Sequence, residues 1–151
     1  MIVSMRDAGD STDFDLDRFV LAEAPVFDTA VTELRAGRKK SHWMWFVFPQ
    51  LRGLGRSMTA DLYGLASLAE AKAYLRHPIL APMLEACTRS AIEAKAPSLS
   101  ALFGSPDDVK FISSMTLFEA AAETSHSLFG KALDHWNQGK RDARTLTMIG
   151  A

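Results

Sequence analysis

Two stretches of this sequence concentrate groups able to do chemistry. Residues 38–50 read RKKSHWMWFVFPQ: three cations, then Ser41 and His42, then an aromatic run closing on Gln50. A basic turn entering a helix adds its charge to the unpaired N–H groups there, and together they attract phosphate or carboxylate. Lys39, Lys40 and Ser41 are therefore candidate anion ligands. Trp43 and Trp45 offer flat π faces on which an aromatic group could stack, and Gln50 offers an amide. His42 stands at the seam as the candidate acid or base, because imidazole is the side chain best suited to proton transfer near neutral pH. The competing reading is a buried helix behind a solvated turn, with His42 as a cap or core residue.

The second stretch is DDVKFISSMTLF, residues 107–118. Wound as a helix, it puts Asp107, Lys110, Ser114 and Leu117 on one side, with Ser113 beside Lys110. A lysine four residues before a serine is a base–nucleophile spacing, which makes Ser114 the second catalytic candidate and Lys110 and Ser113 ligand-binding candidates. The plainer alternative pairs Lys110 with Asp107 and turns the serines back onto the preceding helical turn. Adjacent serines are poor helix formers, a hint of another purpose.

Other chemistries lack their residues. GLG at 53–55 is too short for a phosphate-cradling glycine motif, and no HExxH occurs. His126 and His135 are nine positions apart, not the four of a helical metal pair, and no metal site or cofactor is expected. Cys87 is the sole cysteine, so no internal disulfide or cysteine-based zinc site can form. Its place on an apolar helical face predicts an inert core thiol.

These groups need a scaffold. A chain of 151 residues with 48% apolar and 23% charged content is one globular domain's worth. The net charge of -1 gives no reason to expect nucleic acid as a partner. The longest apolar run, 43–48, is far short of the roughly 20 residues that cross a bilayer, so no membrane partner is expected. The opening MIVSMRDAGDSTDFDLD has no apolar stretch behind a cationic head, which argues against a signal peptide and for the cytoplasm.

Residues 1–12 read as a flexible tail, and 13–149 as a single helical domain. Val26, Phe27, Ala30, Val31 and Leu34 form one buried stripe, and Gly37 is placed to stop it. Ser57, Ser98 and Asp142 are candidate caps, and Ser67 with Glu70 has capping-box spacing. Phe111, Ile112, Met115, Phe118 and Ala122 mark another stripe. Segment 42–48 is apolar all round; helix is the better reading, since a lone strand has no partner. The fold expected is all-α: a single compact domain of seven to nine short, irregularly packed helices.

RAGRKKSHWMWFVFPQLRGLGRS, AKAYLRHPIL and LFGSPDDVKFISSMTLF together resemble a family of small bacterial and fungal proteins catalogued as domain of unknown function 1810. The likeness runs from about Phe14 to Leu146. It implies an all-α domain and supplies no activity. Some members are labelled calpastatin, a calpain inhibitor, which fits badly, because such inhibitors are disordered repeats. A looser likeness, to helical NADAR-type proteins linked to ADP-ribose-type metabolites, implies N-glycosidic bond hydrolysis.

Two functional expectations follow. One is a pocket between 39–50 and 107–118 binding a nucleotide-like anionic ligand. The other is a non-enzymatic interaction or regulatory module, with a homo-oligomer as its form.

Overall fold

Hydroxyls and one carboxylate choose where helices begin. Ser57, Ser67, Ser98, Ser127 and Asp142 each accept an amide three residues on, from Ala60, Glu70, Ala101, Gly130 and Thr145. Each such cap stabilises its helix by about 1 kcal/mol. Glu70 completes its box one residue early, accepting from the Ala66 amide at 2.7 Å. Its other oxygen pairs with Arg18 at 2.9 Å. The Arg18 guanidinium also donates to the carbonyls of Leu62 and Gly64, so one largely buried pair ties the first helix to the chain entering the Leu68–Arg76 helix.

The structure is a computed structural model and describes residues 14–151. The tail expected over 1–12 lies outside the described residues. In order the helices are α1 (Asp17–Glu23), α2 (Phe27–Arg35), α3 (Met44–Val47), α4 (Met58–Leu62), α5 (Leu68–Arg76), α6 (Leu80–Glu93), α7 (Leu99–Phe103), α8 (Asp107–Ala121), α9 (Leu128–Asn137) and α10 (Ala143–Ile149). The all-α class is as expected. The ten helices among the described residues exceed the expected seven to nine because α3, α4 and α7 are turns of four or five residues that count as helices of their own.

Segment 42–48 is the main departure. The helix expected there is a single turn, Met44–Val47. Trp43 and Phe48, with φ of -129° and -126°, lie outside helical geometry, and Pro49 follows. The segment is still deeply packed: Trp43, Met44, Val47 and Phe48 are all buried. Beyond it, Leu51 makes an isolated parallel bridge with Leu65. The Leu65 amide donates to the Gln50 carbonyl at 2.9 Å, which fixes the exit of the aromatic run.

The central element is α8. It buries Phe111, Ile112, Met115, Leu117 and Phe118 around most of its circumference and packs against α5, α7, α9 and α10. Burying each large apolar side chain stabilises by roughly 1.5–3 kcal/mol. Phe48, Phe103 and Phe111 meet at centroid distances of 4.7–5.8 Å, joining α3 and α7 to the start of α8. Gly37 ends α2 at φ +82°, where an added Cβ would lie 2.8 Å from the Lys95 carbonyl oxygen. Only glycine meets both demands. Among the described residues no helix is long and apolar enough to cross a membrane.

Candidate functional site

The basic loop is built on a carboxylate that sequence reasoning passed over. Glu33, in the last turn of α2, accepts from the amides of Lys40 and Ser41 at 2.8 and 2.9 Å. It also accepts from the Ser41 hydroxyl at 2.5 Å and the Trp43 indole at 2.9 Å. Burial alone would raise its pKa; the donors led by Ser41 outweigh burial and hold the Glu33 pKa down at about 2. One charged acceptor thus organises the whole turn from 40 to 43.

That arrangement occupies several of the expected ligand groups. The Lys39 ammonium donates to the Ser41 carbonyl, pairs with Asp107 Oδ2 at 2.9 Å and stands 5.0 Å from the Trp43 ring centre. Its side chain is only 7% exposed. Ser41 gives its hydroxyl to Glu33. The Trp43 ring is wholly buried against Phe48 and Phe103, so it has no open face on which a ligand could stack. Lys40 and His42 are exposed.

The two stretches do meet. Lys39 reaches Asp107 at the start of α8, and the Lys110 ammonium sits 5.0 Å over the Trp45 ring centre. Trp45 is half-buried, and its indole N–H is buried without a partner. Ser113 bonds back to the Val109 carbonyl at 3.2 Å, as the plainer reading holds. Ser114 does not: its hydroxyl is buried and unpartnered.

Where the loop after Pro49 faces the first turns of α8 there is a cleft of about 340 Å³. Gln50, Lys110 and Ser113 line it, together with Arg56 and Arg144. Leu54, Pro106 and Val109 supply apolar wall. Asp142 is its acid and is already engaged as the α10 cap, accepting from the Thr145 amide and hydroxyl at 3.0 and 2.6 Å. A much smaller recess, about 10 Å³, adjoins it and is lined by Trp45, Tyr63, Gln50 and Lys110. Lys39, Lys40, Ser41, His42, Trp43 and Ser114 line neither space.

Arg56 and Arg144 were not among the expected residues. Arg56 sits in the glycine-containing LRGLGR loop, a weak signal. Arg144 comes from the last helix, and no sequence spacing connects it to α8. Neither arginine joins an ion pair among the described residues. Among the same residues, no group of three His, Cys, Asp or Glu side chains is placed to hold a metal ion.

Fold and cleft together define a class: a small all-helical domain with a cationic cleft where its central helix begins. The chain belongs to the family described as "Protein of unknown function (DUF1810)", which it matches over residues 13–149. It is similar to the crystal structure of the conserved hypothetical protein Rv1873 from Mycobacterium tuberculosis. The TM-score is 0.88 and the identity 50%, over 92% of this chain and 99% of that one. No curated protein matches it.

Proposed function

We propose that this is a ligand-binding domain whose site is the cleft between the 50–56 loop and α8, taking a small nucleotide-like molecule with an anionic group. The supporting observation is convergence. Arg56, Lys110 and Arg144, from three separate parts of the chain, share one cleft whose acid is committed as a helix cap. A volume of about 340 Å³ is within the usual range for small-molecule sites. Guanidinium groups grip phosphate or carboxylate in two-point fashion, and a lysine adds a point charge. Leu54, Pro106 and Val109 give a flat group an apolar wall, and Gln50 can both donate and accept at its edge.

N-glycosidic hydrolysis, the reaction of the looser likeness, needs a free acid–base group to activate water beside the scissile bond. The cleft's carboxylate is Asp142, already held by two donors. The geometry therefore favours binding over that reaction. The test is a thermal-shift and calorimetric titration with AMP, NAD and ADP-ribose. A ligand that binds only the folded chain must raise its melting temperature. Saturable binding that Arg144→Gln and Lys110→Met each weaken supports the site; a flat response to the whole panel rejects it.

The second reading, an interaction module, has its own observation. Leu21 and Leu62 are 76% and 56% exposed, on α1 and α4, which Arg18 links through the Leu62 carbonyl. Met58 on α4 is 89% exposed. Sedimentation analysis decides it: a dimer dispersed by Leu21→Lys favours this face, and a monomer at all concentrations removes self-association.

A further inference from the structure

A second cavity, of about 530 Å³, opens at the far end of α8, where α8 gives way to α9. From Lys110 to Ala121 is eleven residues of helix, about 16 Å along the axis, and the two cavities share no lining residue. Cations reach it from three helices: Lys72 and Arg76 from α5, Arg89 from α6 and Lys131 from α9. Against these four stand two acids, Glu85 and Glu123. Glu123 pairs with Arg76 at 3.4 Å, with both side chains largely exposed, so that pair is weak and easily exchanged. Lys72, Arg89 and Lys131 join no ion pair among the described residues. A chain of net charge -1 therefore gathers a local excess of positive charge around a concave space from separate helices. Mutual repulsion there is unfavourable until an anion enters. The start of α9 adds to this: Ser127 caps Gly130, and the amides of Leu128 and Phe129 precede the first intrahelical bond. Ser127, Leu128 and Phe129 all line the cavity.

We propose that this cavity is a second ligand site, independent of the cleft at Lys110, and that it takes a small molecule carrying phosphate. Two guanidinium groups, two ammonium groups and a helix start suit an anion with several oxygens and at least two charges. Apolar groups at Leu75, Leu128 and Phe129 leave room for an organic remainder.

The test is a titration of inorganic pyrophosphate into the isotopically labelled full chain at physiological salt, followed by amide chemical shifts. The expected result is saturable change centred on Leu128, Phe129 and Lys131. Binding should weaken by about tenfold or more in the double variant Lys72→Gln with Arg89→Gln, and should be unaltered by Arg144→Gln. That last arm separates this site from the proposed cleft, since either can fail alone. Citrate is the comparison anion. Saturation by citrate at equal or lower concentration overturns the phosphate assignment. Shifts that never saturate, that centre on Lys110, or that survive the double variant overturn the site.

Discussion

The carboxylate of Asp107 divides its two oxygens between two lysines, Oδ2 at 2.9 Å from Lys39 and Oδ1 at 3.7 Å from Lys110. Each lysine in turn stands 5.0 Å from a tryptophan ring centre, Lys39 over Trp43 and Lys110 over Trp45. Asp107 is thus the joint at which the basic–aromatic loop and the central helix are fastened. Its two lysines differ in what they leave free. Lys39 is nearly buried and bound on three sides. Lys110 is 23% exposed and borders the cleft.

Replacing that joint should therefore act mainly through Lys39. Asp107→Asn keeps the shape but leaves a nearly buried ammonium without its counter-charge, and such a group costs more than an exposed pair would. The expected loss is about 2 kcal/mol in urea unfolding at neutral pH. Lys110→Met removes the weaker and more exposed partner and should change stability by less than about 1 kcal/mol. Equal losses in the two variants would contradict this division of labour.

Glu23 should make the protein less stable as pH rises. It ends α1, is wholly buried, has one oxygen without a partner, and meets only the Tyr74 hydroxyl, at 3.5 Å. Burial pushes its pKa from 4.5 up to about 8, against a smaller opposing effect of the Tyr74 hydrogen bond. Between those values the folded chain holds a proton that the unfolded chain has released. Stability from this group is therefore full below about 4.5 and declines until pH passes about 8. Glu23→Gln imitates the protonated acid. Its unfolding free energy should equal or exceed that of the parent at pH 8, and the slope between pH 5 and 8 should flatten. An unchanged slope would remove Glu23 as its source.

Glu33 acts in the opposite direction. Its donors hold it at about 2, below the usual 4.5, so here the unfolded chain binds the extra proton. The stability it provides is complete above about 4.5 and is lost as pH falls through about 2. Glu33→Gln turns an acceptor for four donors into a group that must itself donate two hydrogens among them. The expected effect is a loss of about 2 kcal/mol at pH 7 and a shallower acid transition, read by denaturant titration from pH 7 to pH 2. No other carboxylate among the described residues accepts four hydrogen bonds in one turn of chain, which is why this one should govern the loop.

Much of the fold was legible because helix signals are local. The Ser57, Ser67, Ser98 and Asp142 caps, the stripe from Val26 to Leu34 and the Gly37 stop all appear where side-chain type and spacing put them. Segment 42–48 is helical, as expected, only over Met44–Val47, because an all-apolar run carries no period and its extent is decided by packing against Phe103 and Phe111. Cys87 could be read as a core residue; it is buried, and burial pushes its thiol up to about 12. The site was legible only in part. Gln50, Lys110 and Ser113 share the cleft, but Arg144 arrives there through tertiary packing from the chain's far end. Glu33 was invisible for a related reason. A single carboxylate on the polar side of a helix looks solvated until the loop folds over it.

The two indoles of the aromatic run offer a direct measure of that distinction. Trp43 and Trp45 look equivalent in the sequence, yet their N–H groups have opposite circumstances. The Trp43 N–H donates to Glu33 at 2.9 Å inside a fully buried ring, whereas the Trp45 N–H is buried with no partner. Trp43→Phe removes a charge-assisted hydrogen bond and leaves a void in packed surroundings, with an expected loss of about 3 kcal/mol. Trp45→Phe removes a group whose burial is already unfavourable by about 1–3 kcal/mol, which offsets the smaller ring's lost contact. Its stability should lie within about 1 kcal/mol of the parent. Paired urea titrations followed by circular dichroism check both, since dichroism does not depend on the indoles removed. If Trp45→Phe proves as damaging as Trp43→Phe, the Trp45 N–H is satisfied in solution, and its ring is as much a part of the core as Trp43.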